Sequence, residues 1–291
     1  MSTVLRQTIS SAARVLALVL LCGAAGFGRA ADAPPIHPIR FLLSFDDGPS
    51  AALYDNSTIQ ILDALDHNQA QAGIKAIFFA QTRAANGGGS ELGRQLLRRE
   101  QAQGHLLAFH TATAHHSNHR FLPPEELELS LQRGGADLES ITGVAPTLVR
   151  PPFWNYDAAT LAAYQRHGMH MLLTDLSAND GKIWGVNFSW HKRANMLSHL
   201  AEVKLRWDTM PVVDGNVPVV VTFHDINNYT ARHIEEYLLI LLDVARELDM
   251  PVAEKPFYAE RGELEKAALA RTVREGDAKQ ALPGLWNWLW K

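Results

Sequence analysis

Two adjacent carboxylates, Asp46 and Asp47, end the apolar run Phe41-Leu42-Leu43-Ser44-Phe45, and Gly48-Pro49 turns the chain directly after them. Successive strand residues point to opposite sides, so two acids at a strand's end can take different jobs. Like charges this close repel unless a cation lies between them or one takes a proton. The same residues also suit a solvated turn, and what decides is where the His, Arg and remaining Asp residues fall. Histidines 105, 110, 115, 116 and 119 lie within fifteen residues. His110 and His115 with Asp47 form a two-nitrogen, one-oxygen set that suits zinc and leaves positions open for water and substrate. Such an ion acidifies bound water and polarises a carbonyl oxygen. On a regular helix His110 and His115 would stand roughly 140° apart, so this pair needs a loop or a distorted turn. His115 and His119 are the better-spaced rivals on a helix. Arg150, beside Pro151-Pro152, can pair with Asp46. His224 follows Val219-Val220-Val221-Thr222-Phe223 and can serve as a general acid if Asp180 or Asp175 raises its pKa.

These residues need a scaffold that brings them together. Apolar runs predict strands at about 40–46, 74–80, 105–109, 147–150, 169–174 and 217–223. Helices are expected at about 56–70, 91–103, from 124 onward, and at 157–167, 190–206 and 231–248. Strands alternating with helices imply a mainly parallel sheet or barrel, with chemistry at the carboxyl ends of the strands. Asp46, Arg150 and His224 fall at such ends, and the histidine-rich stretch follows another.

The chain has 291 residues, 47% hydrophobic, with a formal net charge of −4 and no strongly basic face to suggest nucleic acid. Residues 1–33 read as a secretory signal peptide. Arg6 and Arg14 precede the run from Val15 to Leu21, and small residues lead to candidate cleavage sites at Ala30 and Ala33. The apolar run is shorter than the ~20 residues of a spanning helix. Export to the periplasm or the extracellular space is therefore expected. Cys22 is the single cysteine and lies in that segment, so the mature protein has no thiolate nucleophile, thiolate zinc site or iron–sulfur cluster.

Ser44 through Pro49, His110-Thr111, Arg150 through Trp154, Asp175 through Asp180, and Phe223-His224-Asp225 occur in the order of five motifs. Over about residues 36–258 the chain resembles the polysaccharide deacetylases of carbohydrate esterase family four, the NodB-homology domain. The resemblance implies an α/β fold, a distorted (β/α) barrel of mostly parallel strands in one domain. It also implies hydrolysis of N-acetyl groups on amino-sugar glycans. Asp46 would be the base, and Asp47, His110 and His115 would hold a divalent ion, zinc first and cobalt or manganese as alternatives. Arg150 would hold Asp46, and a backbone amide near Phe153 would serve the oxyanion. Phe153 and Trp154 would wall the sugar pocket, and Asp180 would tune His224 as the acid. The chain departs from the family pattern at three places. Ala114 stands where the second His usually does, Gly181 where a Trp usually follows Asp180, and Thr222 where a Leu usually precedes His224 by two. Trp184 is a candidate for the missing wall.

The expected domains are a signal peptide at 1–33, the catalytic domain at 34–258 and a helical, Trp-rich extension at 259–291. That extension should pack back over the barrel base. Glycan stacking, dimerisation and membrane contact are its alternatives, and membrane contact is otherwise expected only through an uncleaved signal. The competing functions are an acetyl ester deacetylase, an inactive glycan-binding homologue and a small-amide hydrolase.

Overall fold

β1 (Ile39–Asp46) is buried along its whole length, as a strand covered on both faces must be. The computed structural model describes residues 37–181, 189–274 and 282–284. The signal-peptide assignment, Trp184 and the three tryptophans of 285–291 therefore lie outside the described residues. β1 is followed by β2 (Ile77–Gln81), β3 (Leu106–Thr111), β4 (Leu148–Val149), β5 (His170–Met171), β6 (Leu176–Ser177), β7 (Val217–His224) and β8 (Val252–Phe257). Their order is β5-β4-β3-β2-β1-β7-β6, with β8 beside the start of β1 and every pairing parallel. Around this half-barrel lie α1 (Ser57–Asp66), α2 (Glu91–Ala102), α3 (Pro124–Thr142), α4 (Ala158–Arg166), α5 (Lys192–Lys204), α6 (Asn228–Glu247) and α7 (Arg261–Ala270).

The period of two along β1 divides the core. Ile39, Phe41, Leu43 and Phe45 pack in the cluster under the helices. Leu42 belongs instead to the inner cluster with Phe79, Leu148 and Val220, and Asp46 shares its side of the strand. α7 completes that inner cluster with Leu264, Ala267 and Ala268. It reaches the amino-terminal end of β1, where Arg40 donates to Glu263 at 2.8 Å. α7 thus packs at the end of β1 opposite Asp46.

β5 and β6 are the two ends of the strand order, and the chain passes between them through residues 172–175. Backbone groups there lack a regular ladder and must find other partners. Arg150 donates to the carbonyls of Leu172 and Leu173 at 3.0 and 3.2 Å. Asp175 accepts from the Val220 amide at 2.9 Å. The expected strand at 169–174 is accordingly cut to two residues. Asp175 also pairs with Arg206 and Arg271 at 2.6 and 2.7 Å, so it stabilises the seam and does not tune His224. Sequence patterning missed β6, which is very short, and β8, whose mostly part-exposed residues include Lys255 and Pro256 and carry no alternation. Among the described residues no helix is long and apolar enough to cross a membrane.

Candidate metal and catalytic site

Asp46 ends β1 beside the end of β7, with Asp46 and His224 as direct register partners. Asp46 is almost fully buried and accepts from Arg150 Nη1 at 2.7 Å. Arg150 is fully buried, also donates to Ser44 Oγ at 2.8 Å, and lies 4.1 Å over the Phe79 ring. A buried guanidinium is costly unless its donors are used. Here one carboxylate, one hydroxyl and two carbonyls use them, which fixes where the Asp46 carboxylate sits.

Asp47 turns away at φ +73°, a left-handed conformation that Asp tolerates better than most residues. Gly48 is required next, because a β-carbon there would lie 2.1 Å from the Asp225 carboxylate. The turned Asp47 meets two imidazoles. Its Oδ1 lies 3.1 Å from His110 Nε2 and 3.1 Å from His116 Nε2, and the two nitrogens are 3.0 Å apart. Gln81 at the end of β2 donates to the same Oδ1 at 3.1 Å.

His110 Nδ1 lies 2.8 Å from the Arg150 carbonyl. A carbonyl only accepts, so Nδ1 carries a hydrogen, and it is the neutral form of the ring that would present a bare Nε2 to the cluster. Burial pushes His116 down to about 4, against the pull of Asp47, so that ring is neutral near pH 7. Burial alone would raise Asp47, but the His110, His116 and His224 imidazoles that face it hold it well below the usual carboxylate range. Two lone-pair nitrogens and a carboxylate converging within about 3 Å call for positive charge between them. Their spacing is close to the ~3.3 Å between ligands of a tetrahedral zinc ion with bonds of about 2.0–2.1 Å. The donor set fits a divalent ion, and Asp47, His110 and His116 form a group able to hold one.

The expected ligand His115 is not part of this group. Residues 112–118 form an irregular loop, not a helix. The His115 side chain is exposed, while its carbonyl accepts from Ser117 N at 2.7 Å and from the Thr113 hydroxyl. The loop turns His116 inward instead, against Phe153 with ring centroids 4.5 Å apart. The rival His119 is buried, bonded to Tyr164 Oη at 2.9 Å and stacked on Phe109. Burial pushes it down to about 3. His105 is also a structural residue, its Nδ1 accepting from Ala76 N at 3.1 Å.

Across the cluster, His224 Nε2 lies 3.9 Å from Asp47 Oδ2. Its Nδ1 bonds Asp180 Oδ1 at 2.8 Å, and its amide donates to Asp180 Oδ2 at 2.9 Å. Asp180 is held in turn by Thr230 Oγ1 at 2.6 Å and Asn227 Nδ2 at 2.7 Å. Burial would lower the His224 pKa, but the Asp180 charge and hydrogen bond, with Asp47 and Asp46, raise it to about 10. A β-carbon on Gly181 would stand 2.8 Å from His224 Cε1. Glycine at this departure from the family pattern is what leaves the imidazole its place. Thr222 is fully buried, with its hydroxyl 3.1 Å from Ser44 Oγ.

These groups open into one cavity of about 700 Å³, within the ~300–1,000 Å³ usual for small-ligand sites. Phe153 and Trp154 line it, at φ +61° and +54°. Two bulky residues in left-handed backbone are strained. Trp154 is nearly buried while Phe153 is 39% exposed. Sequence reasoning missed His116 and Gln81; only His116 carried a signal, as a member of the histidine cluster.

A sequence model of the polysaccharide deacetylase family matches residues 36–172. The chain is 30% identical over 143 residues to a chitin deacetylase of Pestalotiopsis sp, covering 49% of this chain and 44% of that protein. It thus spans less than half the length of that relative. With a chitin deacetylase of Colletotrichum lindemuthianum it shares 25% identity over 199 residues, 68% of this chain and 71% of the relative. The solved structure of the chitin deacetylase from that fungus superposes with a TM-score of 0.51 at 20% identity, covering 76% of this chain and 88% of the other, a likeness of fold. Residues 36–172, which contain the paired aspartates, both cluster imidazoles and Arg150, are therefore similar to the polysaccharide deacetylase family, and the fold is similar to that of a solved chitin deacetylase.

Proposed function

We propose that the protein is a divalent-metal-dependent hydrolase that removes acetyl groups from N-acetylated amino sugars of a glycan. The observation that carries this reading is the cluster of Asp47, His110 and His116 set between an arginine-held carboxylate, Asp46, and a carboxylate-held imidazole, His224. A divalent ion held there, zinc first, would polarise the acetyl carbonyl and acidify water. Asp46 accepts the proton of the water that attacks the carbonyl carbon. His224, protonated through Asp180, gives its Nε2 proton to the departing nitrogen as the carbon–nitrogen bond breaks, leaving acetate and a free amine. An amine is a poor leaving group unless protonated, so a half-buried imidazole raised to about 10 favours amide over ester cleavage. Phe153 and Trp154 offer apolar faces to the sugar ring.

Residues 34–258 are read as the catalytic domain and 1–33 as a signal that directs export to the periplasm or beyond. The basic and apolar segments at the start of the sequence support this.

The test is mass spectrometry of N-acetylglucosamine oligomers and peptidoglycan fragments incubated with metal-loaded protein. Free-amine products that vanish with chelator, and in Asp46→Asn, are expected. Release of acetate only from O-acetylated sugars, or binding with no turnover under zinc, cobalt or manganese, would overturn the reading.

A further inference from the structure

Beyond α7 the chain runs through Arg271-Thr272-Val273 and meets the seam between β5 and β6 at two points. Arg271 Nη2 donates to Asp175 Oδ1 at 2.7 Å, and the Val273 amide donates to the Met171 carbonyl at 2.8 Å. These two contacts bracket Leu172 and Leu173, whose carbonyls accept from Arg150 Nε and Nη2. The neighbouring strands hold the same segment mainly at its ends. Leu172 N donates to the Val149 carbonyl at 2.9 Å, and Asp175 N to the Val220 carbonyl at 3.0 Å.

Asp175 and Arg271 are both buried, so their pairing is not a screened surface contact. Burial alone would raise Asp175, but the Arg271 and Arg206 charges, with the Val220 amide, hold it below the usual carboxylate range. Removing one partner of a buried pair leaves the other charge poorly compensated. The backbone that carries Asp175 must then shift or admit water. That backbone also carries the carbonyls on which Arg150 rests, and Arg150 places the Asp46 carboxylate at 2.7 Å. Burial lowers the Arg150 pKa, against the charges of Asp46 and Asp175. Buried charges thus alternate in sign from Arg271 through Asp175 and Arg150 to Asp46.

We propose that Arg271 is a positioning residue for the reaction. Through Asp175 and the Leu172 and Leu173 carbonyls it fixes Arg150, and so the place of the Asp46 carboxylate. This rests on reading Asp46 as the base of a deacetylase. The extension then contributes to turnover without touching substrate. Its other anchor, Arg40 to Glu263, lies at the amino-terminal end of β1 and contributes to stability alone.

The test compares Arg271→Met, Arg271→Lys and Arg40→Met with the intact protein, all zinc-loaded, on N-acetylglucosamine hexamer. Urea denaturation fixes a temperature at which each is fully folded. Arg271→Met should lower kcat about tenfold, part of the ~10²-fold cost of a ~1 Å misplacement, with KM and zinc affinity within about twofold. Arg271→Lys keeps a cation beside Asp175 and should recover part of that loss. Arg40→Met should lower stability yet leave kcat within about twofold, as a distant site does. In chelator-treated protein, the Arg150 Nε–H NMR signal, assigned by its loss in Arg150→Lys, should shift and exchange faster in Arg271→Met but not in Arg40→Met. That readout needs neither turnover nor metal. An unmoved Arg150 signal, an unchanged kcat, or equal kcat losses in Arg271→Met and Arg40→Met overturn the positioning role and leave the deacetylase reading intact. Should Arg271→Met fail to fold, Arg271→Lys carries the same comparisons with a smaller fall in kcat expected, and no fall overturns the role. If the intact protein does not deacetylate hexamer, the functional reading falls and the positioning role with it.

Discussion

Asp46 and His224 are register partners at the carboxyl ends of adjacent parallel strands, and each is held from behind by a buried group of opposite charge. Arg150 lies behind the acid, Asp180 behind the imidazole, and the Asp47, His110 and His116 cluster lies beside both. One strand pairing therefore sets the separation of the proposed base and the proposed acid.

Asp46→Asn keeps shape and hydrogen-bonding capacity but removes the proton acceptor. A fall in kcat of about 10²–10⁴-fold is expected, the usual worth of a general base, together with a lower thermal midpoint because the buried Arg150 loses its counter-charge. Arg150→Met should instead strand Asp46 without its partner and cost about 3–5 kcal/mol of stability, measured by urea denaturation.

His116→Ala and His115→Ala separate the inward imidazole from its exposed neighbour. His116→Ala should weaken zinc binding by more than the ~10–100-fold of losing an outer-shell partner and abolish turnover. His115→Ala should leave both within about twofold, since its side chain is exposed. Zinc titration calorimetry with parallel kinetics reads both.

The His224 pKa is raised from 6.5 to about 10 by Asp180, Asp47 and Asp46 against burial. A group whose folded pKa is raised stabilises the fold fully below its unfolded value, and that contribution fades as pH climbs through the folded value. In chelator-treated protein, stability attributable to His224 should be complete below pH 6.5 and lost between about 6.5 and 10. Asp180→Asn should move the imidazole titration, followed by NMR, toward lower pH. It should also lower kcat more than it raises KM.

Gly181→Ala places a methyl group 2.8 Å from His224 Cε1. The imidazole must shift, and a misplacement of ~1 Å can cost about 10²-fold in rate. The expected outcome is a folded, metal-binding protein with kcat sharply reduced and zinc affinity kept.

Much of this site was legible because the strands that carry it are apolar runs ending in charged residues. The β1 and β7 runs stop at Asp46 and His224, and Arg150 follows the short run of β4. The second imidazole was not legible. Ala112 through Asn118 form a loop, so helical spacing has no bearing on which His turns inward, and tertiary contact with Phe153 decides it. Gln81 ends a strand whose pattern advertises only burial. β8 escaped because Pro256 and the exposed Glu254 and Lys255 erase the alternation expected of a strand. The path of the extension escaped too, because the buried partner of Arg271, Asp175, lies 96 residues away in sequence.

Anomalous diffraction at the zinc edge, from crystals of the zinc-loaded protein, tests the central claim most directly. One peak is expected, about 2.0–2.2 Å from an Asp47 carboxylate oxygen and from His110 Nε2 and His116 Nε2. A peak bound by His115, a peak away from Asp46 and His224, or no peak at this cluster would contradict it.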